Sequence, residues 1–109
     1  MLRLILVLAL LPLPATAASF DCSQRGLAAD EAAICANRDL NDMDVEMAVT
    51  YRLLLGLFTM GTRHELQDAQ AAWLRGRQAC GGDVGCLRKA YRARIKTLQQ
   101  LYEGIDRPI

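Results

Sequence analysis

Four cysteines in a chain of 109 residues constrain the fold more than any other feature of this sequence. They are Cys22, Cys35, Cys80 and Cys86. A domain of this size buries too little apolar surface to be comfortably stable, and small domains commonly add covalent links. An even number of cysteines in a short chain is typical of disulfides when the chain is exported to an oxidising compartment. We therefore predict two structural disulfides.

The spacing of the cysteines favours one of the three pairings that four cysteines allow. We predict Cys22–Cys35 and Cys80–Cys86. The second link closes a glycine-rich turn, whose backbone can bring the two Cα atoms within the roughly 4.4–6.8 Å that a disulfide needs. The first ties an N-terminal arm to the helix that follows it. Crossed pairings, such as Cys22–Cys86 with Cys35–Cys80, would instead link the N-terminus to the hairpin of the last two helices.

The N-terminus has the order of a secretory signal peptide. Arg3 precedes an apolar run, Leu4–Leu11, and Ala15-Thr16-Ala17 places small residues before a cut. The run is much shorter than the roughly 20 residues that cross a bilayer. We therefore expect residues 1–17 to be a signal peptide cleaved near Ala17. Residues 18–109 would then form one soluble domain in the periplasm or outside the cell.

Hydrophobic periodicity predicts an all-α domain, with one short N-terminal helix and three longer antiparallel helices in a disulfide-stapled bundle. The alanine-rich segment 28–36 suits the short helix. The second helix, capped by Asp39, carries an apolar stripe at steps of three and four, and a further set of apolar residues widens the stripe towards a second neighbour. The stripe is Leu40, Met43, Met47, Tyr51, Leu54 and Phe58, and the further set is Val45, Val49 and Leu53.

The boundaries of the last two helices have their own sequence signals. Gly61 is a candidate stop for the second helix, and Thr62 with Glu65 forms a capping-box pattern for the third. We expect Gly81 and Gly82 to end the third helix and Asp83 to cap the fourth. No segment shows the two-residue alternation of a strand.

Aromatic and arginine side chains fall on or beside the apolar stripes of the last two helices. Trp73 and Tyr91 should share an interior with Tyr51 and Phe58, because one indole at an apolar helical position is usually part of a core. A guanidinium in such a position must pair or reach solvent. We therefore expect Arg77 and Arg94 to bond carboxylates or helix-end carbonyls and lock the helix pair.

The polar residues do not assemble into a recognisable catalytic or metal-binding set. His64 is the single histidine, whereas a zinc site needs three or four converging ligands. Ser19 and Ser23 are the only serines after the leader, which leaves no credible serine triad. The cysteines lack Cys-x-x-Cys spacing, so a redox-active pair is not expected. We predict no enzyme activity, no cofactor and no metal.

Charge is balanced in total but unevenly distributed. After the leader the chain holds twelve basic and twelve acidic side chains, which argues against nucleic-acid binding. The half ending at residue 61 is acidic and the half that follows is basic. Asp39, Asp42 and Asp44 stand near a helix start, where negative charge favours the helix dipole. These three residues are also our candidates for contact with a protein partner.

Several motifs together resemble the LprI-like lysozyme inhibitor family of bacterial envelope and secreted proteins. They are Ala33-Ile34-Cys35, then Leu40 to Asp44 with Tyr51, then Gln70, Trp73, Arg77 and Cys80, then Cys86, Leu87, Tyr91, Arg94, Ile95 and Leu98. The resemblance spans nearly the whole chain after the leader. It implies a compact helical domain with disulfides, in which Gln70, Trp73, Arg77, Tyr91 and Arg94 are structural, and it implies inhibition of lysozymes.

Two hypotheses follow for the function. In the first, the exported domain binds and inhibits a lysozyme without chemistry of its own, using its carboxylates for approach and the stapled turn 80–86 for the cleft. In the second, it is a structural or adaptor domain that binds another protein of the cell envelope. An assay of lysozyme-driven lysis separates the two.

Overall fold

The computed structural model describes residues 18–106, and these form four helices without a strand. Helix α1 spans Ala29–Ala36, α2 spans Arg38–Leu57, α3 spans Met60–Ala79 and α4 spans Val84–Glu103. The prediction of one short and three longer helices is confirmed. The predicted signal peptide, its cleavage site near Ala17 and residues 107–109 lie outside the described residues.

The start of α2 has a different cap from the one expected, and the start of α1 is closed by a glutamate. In α1 the Glu31 carboxylate accepts a 3.1 Å hydrogen bond from the backbone N–H of Ala28. The cap position of α2 is Asn37, so the prediction that Asp39 caps this helix is wrong. Asp39 lies in the first turn instead, where its negative charge still favours the helix dipole.

The boundary between α2 and α3 also differs from the sequence prediction. Helix α2 ends at Leu57, and α3 begins at Met60 with Thr59 at its cap position. Gly61 therefore lies inside the first turn of α3 and is not a stop. The predicted capping box of Thr62 and Glu65 is wrong for the same reason, since Thr62 is already helical.

The turn between α3 and α4 is as predicted. Helix α3 ends at Ala79, and Gly81 has a φ of +54°, which few other residues adopt without strain. Asp83 caps α4 by accepting a 3.0 Å hydrogen bond from the N–H of Cys86. Both predicted disulfides are formed: Cys22–Cys35, with Cα atoms 5.7 Å apart, and Cys80–Cys86, with Cα atoms 5.6 Å apart.

The apolar core is concentrated between α2 and α4, which pack closely along their length. Helix α1 packs against α2 and also contacts α3 and α4. The buried apolar residues are Ile34 from α1, Leu40, Met47 and Leu54 from α2, Leu66 from α3, and Leu87, Tyr91 and Leu98 from α4. Helix α3 thus contributes one buried apolar side chain, and its other two buried residues are Gln70 and Arg77. Polar contacts must hold much of this helix in place.

The outer face of α2 is the main departure from the predicted packing. Val45, Val49 and Leu53 were expected to meet a second neighbour, but all three are exposed, and Leu53 retains 66% of its accessible surface. Leu57 and Met60 extend this apolar surface. The helix is therefore covered on one face only within residues 18–106.

Candidate functional site

A buried polar cluster joins all four helices, with one side chain from each. Arg77 of α3 bonds the Asp30 carboxylate of α1 through Nε at 2.9 Å. Its Nη1 lies 3.4 Å from the Tyr91 hydroxyl of α4 and 3.8 Å from Oδ1 of Asp44 on α2. The Tyr91 hydroxyl in turn donates to Asp44 at 2.7 Å. A single arginine thus connects two carboxylates and a phenol, and the prediction that Arg77 pairs with carboxylates is confirmed.

Asp44 is wholly inside the protein and is not part of an acidic surface. Its exposed fraction is 0%. Oδ1 accepts from Tyr91, and Oδ2 accepts a 2.6 Å hydrogen bond from the backbone N–H of Ser19. A carboxylate buried in this way must be paired, because an isolated buried charge is very costly. Its assignment to a partner-binding surface is therefore corrected.

The surroundings of Tyr91 stabilise its neutral form. Burial first, and then the hydrogen bond to Asp44, raise the pKa of the Tyr91 hydroxyl above its ordinary value of 10.0, although nearby Arg77 opposes this. The hydroxyl therefore stays protonated and acts as a fixed donor. A donor of this kind orients Asp44 and does not itself act as a base.

Trp73 lies against this cluster at the surface between α3 and α4. Its ring meets the Tyr91 ring edge-on, with centroids 5.0 Å apart, and its Nε1 donates to the carbonyl of Ala90 at 3.0 Å. The Arg77 guanidinium sits 5.9 Å from the Trp73 ring centroid. Trp73 is half-buried, as are Tyr51 and Phe58, so of the four aromatics expected inside only Tyr91 is fully buried.

Gln70 and Arg94 form a second buried polar pair, between α3 and α4. Nε of Arg94 donates to Oε1 of Gln70 at 2.9 Å, and Nε2 of Gln70 points at the Met47 sulfur. Arg94 therefore joins α3 to α4 as predicted, but through the amide oxygen of Gln70 and not through a carboxylate or a helix-end carbonyl. Burial lowers the pKa of Arg94. Its Nη2 atom has no hydrogen-bond acceptor among residues 18–106.

The N-terminal arm is tied to the cluster at two points. The Cys22–Cys35 disulfide fixes it to α1, and the Ser19 amide bonds Asp44. Phe20 covers the Arg77 guanidinium, whose carbon lies 5.7 Å from the ring centroid. The arm therefore packs against the cluster at Asp44 and at Arg77.

The two remaining acidic candidates are at the surface. Asp39 forms an ion pair with Arg88 of α4 at 2.7 Å, and that hydrogen-bonded contact lowers the pKa of Asp39. Asp42 is exposed. The structure thus separates Asp39 and Asp42, which can meet a partner, from Asp44, which cannot.

The histidine that we predicted to have no catalytic or metal-binding role is at the surface. It is His64, which is exposed on α3. Residues 18–106 contain no group of three or more histidine, cysteine, aspartate or glutamate side chains placed to hold a metal ion. Over the same residues no helix is both long and apolar enough to cross a membrane.

Sequence reasoning missed Asp30, the closest partner of Arg77. Asp30 lies in an alanine-rich helix, where an acidic residue in the first turn is ordinary. Its pairing with Arg77 joins positions 47 residues apart. The burial of Asp44 did have a local signal, since it occupies the helical step between Leu40 and Met47.

The comparisons with known proteins give one match. The model of the family described as lysozyme inhibitor LprI matches residues 22–104 of this chain. This range contains both disulfides and the whole buried cluster apart from the Ser19 amide. No curated protein and no solved structure matches.

Proposed function

The chain belongs to the LprI lysozyme inhibitor family, and from this membership we propose that it binds a lysozyme and blocks its cleft without altering it chemically. The family match over residues 22–104 is the observation that carries the proposal. We further propose export, with cleavage near Ala17, because two disulfides in so short a chain are typical of extracytoplasmic proteins.

The rigidity of the turn 80–86 supports it as the element that enters the cleft. The Cys80–Cys86 disulfide and the Asp83 cap constrain the same seven residues. An element held in its binding conformation loses little conformational entropy when it binds. Lys89 is exposed one helical turn after Cys86 and offers a positive group to an acidic cleft.

The exposed carboxylates support steering of a basic partner. Asp39 and Asp42 lie at the surface near the start of α2. Lysozymes are commonly basic proteins, and charges of opposite sign on two surfaces raise the rate of encounter. The contribution of Asp39 is reduced by its ion pair with Arg88.

Direct inhibition is the primary test. Purified chain comprising residues 18–109, with its disulfides formed, is titrated against lysozymes of the animal and phage types while turnover of cell-wall substrate is followed. We expect saturable inhibition with at least one type and recovery of active lysozyme on dissociation. Absence of inhibition by micromolar protein with every lysozyme would reject the proposal.

Steric variants at glycines locate the inhibitory surface. Gly82 is exposed in the turn, and a Cβ there would meet only the Ala29 carbonyl, at 3.9 Å. Gly82→Gln should therefore fold normally and weaken inhibition. The matched control is Gly56→Gln on the outer face of α2, where a Cβ meets nothing within 4 Å. Weakening by Gly56→Gln alone would move the inhibitory surface from the turn to α2.

The exposed apolar face of α2 favours one second candidate, an adaptor that binds an envelope protein. Val45, Val49, Leu53 and Leu57 recur at every fourth residue and face outward. Exposed contiguous apolar surface is typical of protein-binding sites. If no lysozyme is inhibited, capture of a defined envelope protein that Gly56→Gln abolishes would support this function.

A further inference from the structure

A groove between the first half of α3 and the second half of α4 has a volume of about 200 Å³. Phe58, Leu66 and Leu101 form its apolar walls, Thr62 and Glu65 line it towards the start of α3, and Arg94 lines it further along. The family match and the proposed inhibitory turn assign no role to this groove.

Arg94 is the feature of the groove that needs explanation. Its residual exposure is 7%, and Nη2 has no acceptor within residues 18–106. Arg77 is buried to a similar degree but meets two carboxylates. For Arg94 no carboxylate of the described chain lies within ion-pair distance. A buried guanidinium without a counter-charge is costly, so an anion that enters the groove gains a partner already stripped of water.

The shape of the groove restricts the anion. It runs along α3 from Thr62 to Ala69, seven residues and therefore about 10 Å at a rise of 1.5 Å per residue. That length matches about three residues of extended chain. Most of the lining is apolar, so we expect the atoms beside the negative charge to be apolar too.

From these observations we propose that the groove binds the C-terminal end of a partner polypeptide, with its last apolar side chain against Phe58, Leu66 and Leu101 and its terminal carboxylate on Arg94. A chain end is favoured over an acidic side chain because it carries a carboxylate and an apolar side chain on the same carbon. The site is distinct from the turn 80–86, and the proposal does not depend on lysozyme being the partner.

Substitution of Glu65 tests whether the ligand is negatively charged. Glu65 lines the same groove, is exposed, and lies beyond ion-pair distance of Arg94. Its carboxylate repels a bound carboxylate and leaves a neutral ligand unaffected. Glu65→Gln should therefore tighten the binding of a carboxylate only.

The experiment titrates residues 18–109, labelled with ¹⁵N, with N-acetyl-alanyl-alanyl-leucine and with the amide of the same tripeptide. The Arg94 Nε–H resonance reports binding. We expect the free acid to bind at least about tenfold more tightly than the amide, and Glu65→Gln to tighten the acid alone. Arg94→Met should weaken the acid to the level of the amide, and Arg94→Lys, which keeps the charge, should retain part of the affinity.

Several outcomes would overturn the proposal. Equal binding of acid and amide, or no saturable shift at Arg94, would mean that water alone satisfies the guanidinium. If a tripeptide amide with a central glutamate binds as tightly as the free acid or more tightly, the ligand is an acidic side chain and not a chain end. If butyrate binds as tightly as the free acid, the ligand is a small carboxylic acid and not a polypeptide. Glu65→Gln keeps the test valid even if the Arg94 variants fail to fold.

Discussion

The Tyr91 hydroxyl donates a 2.7 Å hydrogen bond to Oδ1 of Asp44, and neither side chain has any surface exposed to water. This contact joins α2 to α4 at the centre of the domain. Arg77 touches both partners and adds Asp30, so α1 and α3 are attached at the same point. Since α3 buries a single apolar residue of its own, we infer that this cluster fixes its position.

Removal of the Asp44 carboxylate should destabilise the fold strongly. Asp44→Ala leaves Arg77 with one counter-charge and Tyr91 without an acceptor, and loss of one partner from a buried ion pair costs about 3–5 kcal/mol. Asp42→Ala is the matched control, because Asp42 is exposed on the same helix and its loss should cost less than about 0.5 kcal/mol. Urea unfolding followed by circular dichroism measures both. Equal losses would show that Asp44 is not a structural residue.

Stability should fall at alkaline pH through Tyr91. Its folded-state pKa is raised by burial and by Asp44, whereas in the unfolded chain the phenol ionises near its ordinary pKa of 10.0. Above about pH 10 the unfolded state therefore binds fewer protons than the folded state, and stability drops by up to about 1.4 kcal/mol per pH unit.

Tyr91→Phe removes this component and leaves the other titrating groups in place. At neutral pH the wild-type protein should be the more stable of the two, because the variant leaves Asp44 without its donor. The gap in unfolding free energy should then close as pH rises above about 10. Urea titrations between neutral pH and about pH 12 measure the gap, and a constant gap across that range would contradict the assignment.

Two arginines with similar burial should lose very different amounts of stability on the same substitution. Arg77→Met leaves Asp30 and Asp44 without the arginine that pairs with them and should lower the free energy of unfolding by about 3–5 kcal/mol. Arg94→Met removes a guanidinium without a counter-charge in the described part of the chain, where Gln70 is its one hydrogen-bond partner, so the free energy of unfolding should change by less than about 1 kcal/mol. Thermal unfolding of the two variants side by side is the measurement. A large loss for Arg94→Met would reveal a partner for Arg94.

Trp73 should contribute to stability more than its half-buried position suggests. Trp73→Ala removes the edge-on contact with Tyr91 and the bond to Ala90, and we expect a loss of about 3 kcal/mol, the lower end of the range for large aromatic residues. Trp73→Phe keeps a ring and should lose about 1 kcal/mol for the hydrogen bond. Circular dichroism during urea unfolding gives both values. If Trp73→Ala unfolds like the wild type but no longer binds a partner, Trp73 is a recognition residue.

Surface charge should act on the rate at which a basic lysozyme is bound. Asp39→Asn with Asp42→Asn should slow association more than it speeds dissociation, because exposed charges act mainly during approach. The effect should shrink as the Debye length falls from about 10 Å at 0.1 M salt to about 3 Å at 1 M. The control with the same change in net charge is Asp68→Asn with Asp106→Asn. Surface plasmon resonance separates the two rates, and an identical effect from the control pair would rule out local steering.

The sequence alone determined the helical class, the disulfide pairing and the Asp83 cap of α4. Each depends on residues near one another in the chain: a stripe with a period of three to four, a glycine-rich turn of a few residues, and a carboxylate three positions before the amide that it accepts from. Local physics decides such features before any tertiary contact forms, so they can be read from one sequence. The start of α3 at Met60 was not predicted, because Gly61 and Thr62 lie early in this helix although a glycine is typical of a helix end and a threonine of a helix start.

Only the tertiary structure decided which carboxylates are structural and which are free. Asp39, Asp42 and Asp44 are alike in sequence but not in structure. Asp39 forms an ion pair with Arg88 at the surface. Asp42 has no ion pair among the described residues, and Asp44 is buried. Burial of a carboxylate is tolerated only where an arginine and a hydroxyl arrive from other helices, here from residues more than 30 positions away. The same holds for Arg94, which has no counter-charge within residues 18–106 because of the side chains that packing places around it. Packing brings together charged residues that are far apart in the chain. The spacing of residues in the sequence does not show which of them will be in contact.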